Sequence, residues 1–73
     1  MSVLRVRFGK RIRFLREQLE LTRESLAEKT HLSVDFIGLI ERGQRAPSFE
    51  SLEAISKALN VPIKNLFDDE EIK

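Results

Sequence analysis

Cysteine is absent from this chain, and with it the disulfide framework of a protein matured in an oxidising compartment. Histidine occurs once, at His31, so a zinc-type site would lack both a sulfur ligand and a second ring nitrogen. The three glycines form no phosphate-binding loop, and no serine has a second catalytic group in view. Long hydrophobic runs are missing too. No segment approaches the roughly 20 apolar residues of a membrane span, and Met1 leads into Ser2 and an arginine-rich run rather than the apolar core of a secretory signal. These absences argue against an enzyme, a cofactor, a bound metal, a membrane partner and an evident small-molecule ligand. A cytoplasmic location is the expectation.

With only two prolines, and with 41% hydrophobic and 34% charged residues, the composition is that of a helical globule rather than a disordered tail. A chain of 73 residues buries only about 60% of its unfolded surface, so self-association would help its stability. The net charge of +1 hides a segregated pattern. Arg5, Arg7, Lys10, Arg11, Arg13 and Arg16 precede the first acid, whereas Asp68, Asp69, Glu70 and Glu71 crowd the other end. The basic run reads equally as a phosphate-binding patch or as a solvated helix face. The acidic run reads as a solvated tail over 68–73, outside a core of about 6–67.

Apolar periodicity divides that core into short helices. Phe8, Ile12, Leu15 and Leu19 recur at steps of four, three and four, which predicts a first helix from about Val6 to Gln18 with the arginines on its polar face. Upstream, Leu4, Val6 and Phe8 alternate with Arg5 and Arg7, so an extended arm fits as well. Thr22 is a good N-cap for a second helix with Leu26, Ala27 and Thr30 on one side. After Thr30, His31 and Leu32, Ser33 caps a third helix containing Phe36, Ile37 and Ile40, which Gly43 stops. Ala27 is small enough for two helices to meet steeply across a short turn, and a helix held that way projects its N-terminal turn outward. Such a helix fits a DNA major groove. Ser48 then caps a fourth helix with Leu52, Ile55 and Leu59 inward, Asn60 ends it in a left-handed conformation, and Pro62 opens a last short helix from Ile63 to Phe67.

The segments FGKRIRFLRE, LTRESLAEK, LSVDFIGLIERGQRAPS and LEAISKALNVP, with NLF near the end, resemble the phage repressor and Cro-like helix-turn-helix family of the XRE type. The resemblance covers Phe8 to Phe67, and the short chain looks most like single-domain members such as restriction-modification controller proteins and small phage or plasmid regulators. It implies an all-α, lambda-repressor-like domain of five helices, binding double-stranded operator DNA as a homodimer, with the helix-turn-helix at helices two and three. The function implied is sequence-specific transcriptional regulation, with repression favoured over activation.

Residue roles follow from the same resemblance. Arg23 at the start of helix two, and Gln44 and Arg45 in the loop after helix three, are placed at phosphate-contacting positions. Arg16 and Glu41 are expected to pair between helices one and three. Base readout falls to Ser33, Val34, Asp35, Gly38 and Leu39, a set without the Arg, Lys, Asn or Gln that make bidentate base contacts. Asp35 can accept from a cytosine amino group or simply favour the helix N-terminus. Val34 and Leu39 can pack on thymine methyls, or Leu39 can meet a protein. Gly38 costs about 1 kcal/mol inside a helix, and either close approach to a base pair or internal packing can justify it. His31 stands where the family usually has glycine and accepts a positive φ at a strain of about 1–2 kcal/mol. Ile63, Leu66 and Phe67, with Ile72, are candidates for a dimer interface, the alternative being that they close the monomer core. The weak reader set also leaves open a rival function, a protein-interaction module on the same fold.

Overall fold

The computed structural model describes residues 2–67; the acidic run and Ile72 lie outside them. Among the described residues there are four α-helices, α1 Val3–Gln18, α2 Arg23–Thr30, α3 Val34–Glu41 and α4 Phe49–Leu59, followed by a 3-10 helix at Ile63–Leu66. The expected count of five helices therefore becomes four α-helices and a 3-10 turn. Pro62 lies just before that turn, extended at ψ 154°, rather than inside it. The extended-arm reading of the N-terminus also falls, because α1 begins at Val3. Ser2 makes this possible: its hydroxyl accepts from the Arg5 amide at 3.3 Å, satisfying one of the donors that open a helix.

The other α-helices start in the same way. Thr22, Ser33 and Ser48 accept from the amides of Ser25, Phe36 and Ser51 at 3.0, 3.0 and 3.1 Å. Their ends also share one device. Glu20, His31, Gly43 and Asn60 have φ of 59°, 60°, 76° and 58°, and the residue after each donates back to a carbonyl five residues earlier, as Leu21 does to Arg16 and Leu32 to Ala27. This left-handed ending turns the chain within a few residues. At Glu20, a position that carries no sequence signal for it, and at His31, a side chain occupies a conformation that glycine adopts more easily.

The core consists of Phe8 and Ile12 from α1, Leu26 and Ala27 from α2, Ile37 and Ile40 from α3, Ile55 and Leu59 from α4, and Leu66. Packing runs α1 against α3, α2 against α3 and α4, and the 3-10 helix against α4 and α1. Leu19, expected on the inner face of helix one, lies past its end and is half exposed. Arg11, expected on its polar face, goes inward instead. Arg11 is buried, with Nε donating to the Asn65 carbonyl at 2.8 Å and the guanidinium 5.6 Å from the Phe14 ring centre, and Arg16 is buried beside α3. Long apolar stems let arginines enter a core wherever an oxygen waits for the head group.

Gly9 marks the tightest approach. A Cβ there would overlap the Ile40 carbonyl oxygen and come within 2.7 Å of the Glu41 carbonyl oxygen, because α1 lies directly on the end of α3. Backbone cannot yield as a side chain does. Gly9→Ala should therefore lower stability by about 2–3 kcal/mol despite alanine's higher helix propensity, read as the change in urea midpoint at constant slope.

Candidate nucleic-acid interface

Helices α2 and α3 form a rigid pair joined by His31, Leu32 and Ser33. Thr30 ties the end of α2 down from within, its buried hydroxyl donating to the Leu26 carbonyl at 2.8 Å. Ile37 and Ile40 anchor α3 completely, so its opposite side must face outward. On that side Ser33, Val34 and Asp35 are exposed at the N-terminal turn and Leu39 is half-buried. The Ser33 oxygen is engaged as a cap acceptor, which leaves its hydroxyl hydrogen to donate elsewhere. Gly38 is buried, contrary to its expected place among the outward readers. What covers it is Arg42: a Cβ at Gly38 would lie 3.1 Å from Arg42 Nη1 and 3.6 Å from Nη2.

The C-terminal end of α3 is held by charge. Glu41, with its side chain only 1% exposed, accepts from Arg16 through both carboxylate oxygens, Nε to Oε2 at 2.6 Å and Nη2 to Oε1 at 3.1 Å. Arg16 uses its remaining nitrogen to donate to the Leu21 carbonyl at 2.8 Å, and its hydrogen bond with Glu41 raises its pKa above the usual arginine value against the opposing effect of burial. A second guanidinium reaches the same carboxylate. Arg23 Nε donates to Oε1 at 3.1 Å while 40% of the Arg23 side chain stays exposed. Arg23, expected at a phosphate, is thus also an internal ion-pair partner, with its two terminal nitrogens left for anything outside.

Gln44 and Arg45 are exposed in the loop that follows. The loop is fixed at its start, where the Gln44 amide donates to Leu39 and its carbonyl accepts from Arg5 Nη1 at 3.5 Å. The basic character of α1 is accordingly divided. Arg11 and Arg16 serve the interior and Arg13 pairs with Glu17 at 3.1 Å, so α1 is not one continuous phosphate-binding patch.

Of the three dimer candidates, Leu66 is wholly buried within its own chain and has no surface for a second copy. Ile63 and Phe67 remain 40% and 44% exposed, and the Phe67 ring packs on Phe8 at 4.9 Å between centres. Leu4, Phe8, Pro47, Leu52 and Phe67 line a shallow, mostly apolar depression. Sequence reasoning misses two features of this surface and its neighbour. Leu4 fits an arm and a helix equally well, and Arg42 reads only as the residue before a terminating glycine. The spacing of four between Gly38 and Arg42 is the signal that marks them as neighbours on one helix face.

Among the described residues no helix is long and apolar enough to cross a membrane. A profile described as helix-turn-helix matches residues 12–66. An immunity repressor protein of Bacillus phage phi105 is 36% identical over 64 residues, covering 88% of this chain and 44% of that protein. The control protein C.BamHI of Bacillus amyloliquefaciens is 39% identical over 66 residues, covering 89% of this chain and 82% of its own. The crystal structure of the restriction-modification controller protein C.AhdI from Aeromonas hydrophila superposes with a TM-score of 0.84 at 36% identity, over 86% of this chain and 96% of that one.

Removing one partner of a buried ion pair strands the other. Glu41→Ala leaves Arg16 buried without its carboxylate and should cost about 3 kcal/mol, whereas Arg23→Ala removes a half-exposed partner and should cost about 1 kcal/mol or less. Urea unfolding of the two variants checks the inequality.

Proposed function

The chain belongs to the helix-turn-helix family of the XRE type, and we propose that it is a sequence-specific double-stranded DNA-binding transcriptional regulator, acting as a repressor or controller. The observation that carries this reading is the fixed outward projection of α3. Its Ile37 and Ile40 side is sunk in the core and its C-terminal end is tied to two arginines, while Ser33, Val34 and Asp35 stand free at the end that would enter a groove. A cytoplasmic, nucleoid-associated location goes with it.

In this reading α2 crosses the sugar-phosphate backbone. The N-terminus of α2 and the terminal nitrogens of Arg23 meet one phosphate, and Gln44 and Arg45 meet another from the loop. Glu41 has a part in this as well, because it orients Arg23 by its Nε and so limits the rotamer freedom given up on binding. Ser33, Val34, Asp35 and Leu39 face base edges. Val34 and Leu39 offer apolar contact to thymine methyls, and Asp35 offers an acceptor to cytosine.

A homodimer completes the proposal. Phe67, which lines the apolar depression with Leu4 and Leu52, and the exposed Ile63 would give a second copy a surface to bury. Two-fold symmetry would then present two α3 helices to half-sites about 34 Å apart, which requires a palindromic operator. Sedimentation at micromolar concentration should return twice the chain mass, and a persistent monomer would remove the dimer from this reading.

DNA binding itself is tested by salt. Affinity for a site selected from genomic fragments should fall steeply with rising salt, and Arg45→Ala should flatten the log–log slope by about 0.9 for each phosphate that the arginine neutralises. Absence of binding at low salt would leave the protein-interaction reading, which the shortage of bidentate side chains at the α3 N-terminal turn favours.

A further inference from the structure

The turns of α3 that face outward carry no guanidinium or amide, yet one guanidinium lies on that helix. Arg42 closes α3 as its C-cap, and its backbone amide donates to the Gly38 carbonyl at 3.0 Å, so the two residues stand one helical turn apart. Side chains on a helix lean toward its N-terminus, over the turn that precedes them. At Gly38 there is nothing in the way. The positions 3.1, 3.6 and 3.7 Å from a hypothetical Gly38 Cβ are Arg42 Nη1, Nη2 and Cζ, so the whole fork, not a single nitrogen, overlies the glycine.

This fork is uncommitted. Arg16 and Arg23 bind Glu41 and Arg13 binds Glu17, whereas the Arg42 side chain makes no hydrogen bond or ion pair among the described residues. It is exposed, and it shares the outer face of α3 with Asp35, two turns back, and Leu39. Arg45 extends from the loop, where phosphates are the natural target, but Arg42 is folded back along the reader helix. Bidentate donation to guanine O6 and N7 is the contact that a guanidinium in that place can make and that Ser33, Val34, Asp35 and Leu39 cannot.

We propose that Arg42 is the guanine-reading residue of this protein and that Gly38 is its positioning residue, the missing side chain forming the slot in which the guanidinium is seated. The inference rests on the DNA-binding reading above and supplies the discriminating contact that reading lacks. It also gives a reason for a glycine inside an eight-residue helix.

Sites are selected from randomised duplex DNA with the wild type and with Arg42→Ala, Arg42→Lys and Gly38→Ala, and each protein's base preferences, salt slope and unfolding temperature are measured. Wild-type sites should carry guanine at one fixed place in each half-site. Arg42→Ala should lose that preference alone, with a roughly five- to 150-fold weaker grip on the guanine-bearing site, while preferences elsewhere stay as they were. Arg42→Lys keeps the charge but not the fork and should also lose most of the preference. Gly38→Ala should relax the same base position while unfolding at or above the wild-type temperature, an outcome that loss of folding cannot imitate. A loss of affinity spread evenly over all sequences with a shallower salt slope would make Arg42 a phosphate contact and overturn the proposal, as would an unchanged consensus. Failure of the wild type to bind any duplex at low salt would overturn the DNA reading beneath it, and is told apart because no variant is involved.

Discussion

The buried carboxylate of Glu41 is the constraint on which the rest of the architecture depends. It sits at the C-terminal end of α3, where the helix dipole disfavours negative charge, and it is almost completely withdrawn from water. Both penalties are offset by two guanidiniums, Arg16 from α1 and Arg23 from the start of α2. One side chain therefore fixes the mutual placement of three helices. The same end of α3 receives Gly9, whose missing side chain lets α1 rest on the Ile40 and Glu41 carbonyls. Apolar residues of equal volume could provide comparable stability, but they would not define the angle of α3 as a forked ion pair does.

Local rules carried much of the fold because local rules build it. Thr22, Ser33 and Ser48 are caps by chemistry, and the positive φ at Asn60 and His31 follows from where each helix has to stop. The features that escaped are those decided by distant partners. Arg11 goes inward because the Asn65 carbonyl, 54 residues away, waits for it, and nothing in an arginine's neighbours announces such a carbonyl. Gly9 is indispensable only because the end of α3 arrives there. Leu66 and Ile63 look alike in sequence and lie three apart, on one face of a 3-10 helix, yet Leu66 at its end is wholly buried and Ile63 at its start is 40% exposed. Glu20 takes a left-handed φ without any residue preference for it, because the Leu21 amide must reach back to Arg16 before α2 can begin.

Burial also changes the electrostatic reading of the molecule. An uninterrupted basic run in the first helix suggests a surface for polyanions, but at its inner positions Arg16 neutralises the Glu41 carboxylate and Arg11 donates to the Asn65 carbonyl within the protein. In the DNA-binding reading proposed above, Arg23, Arg42 and Arg45 bring positive charge together at the C-terminal end of α3. Concentrated charge of that kind orients a helix in a groove better than a diffuse basic face, because each phosphate contact fixes register as well as adding affinity.

Gly38 ties the scaffold to the reader. An eight-residue helix with a glycine near its middle would be marginal in isolation, since nucleation is costly and glycine forfeits about 1 kcal/mol. Here the helix does not have to stabilise itself. Ser33 closes its first turn, Glu41 binds its last turn to two other helices, and Ile37 and Ile40 on either side of the glycine are fully buried. Propensity is overridden by fixation at both ends, so the outer surface is free to omit a side chain where the Arg42 fork needs room. The firm hold on Glu41 is therefore what permits the gap at Gly38, and the rigidity of the scaffold and the composition of the reader face are two consequences of one buried charge.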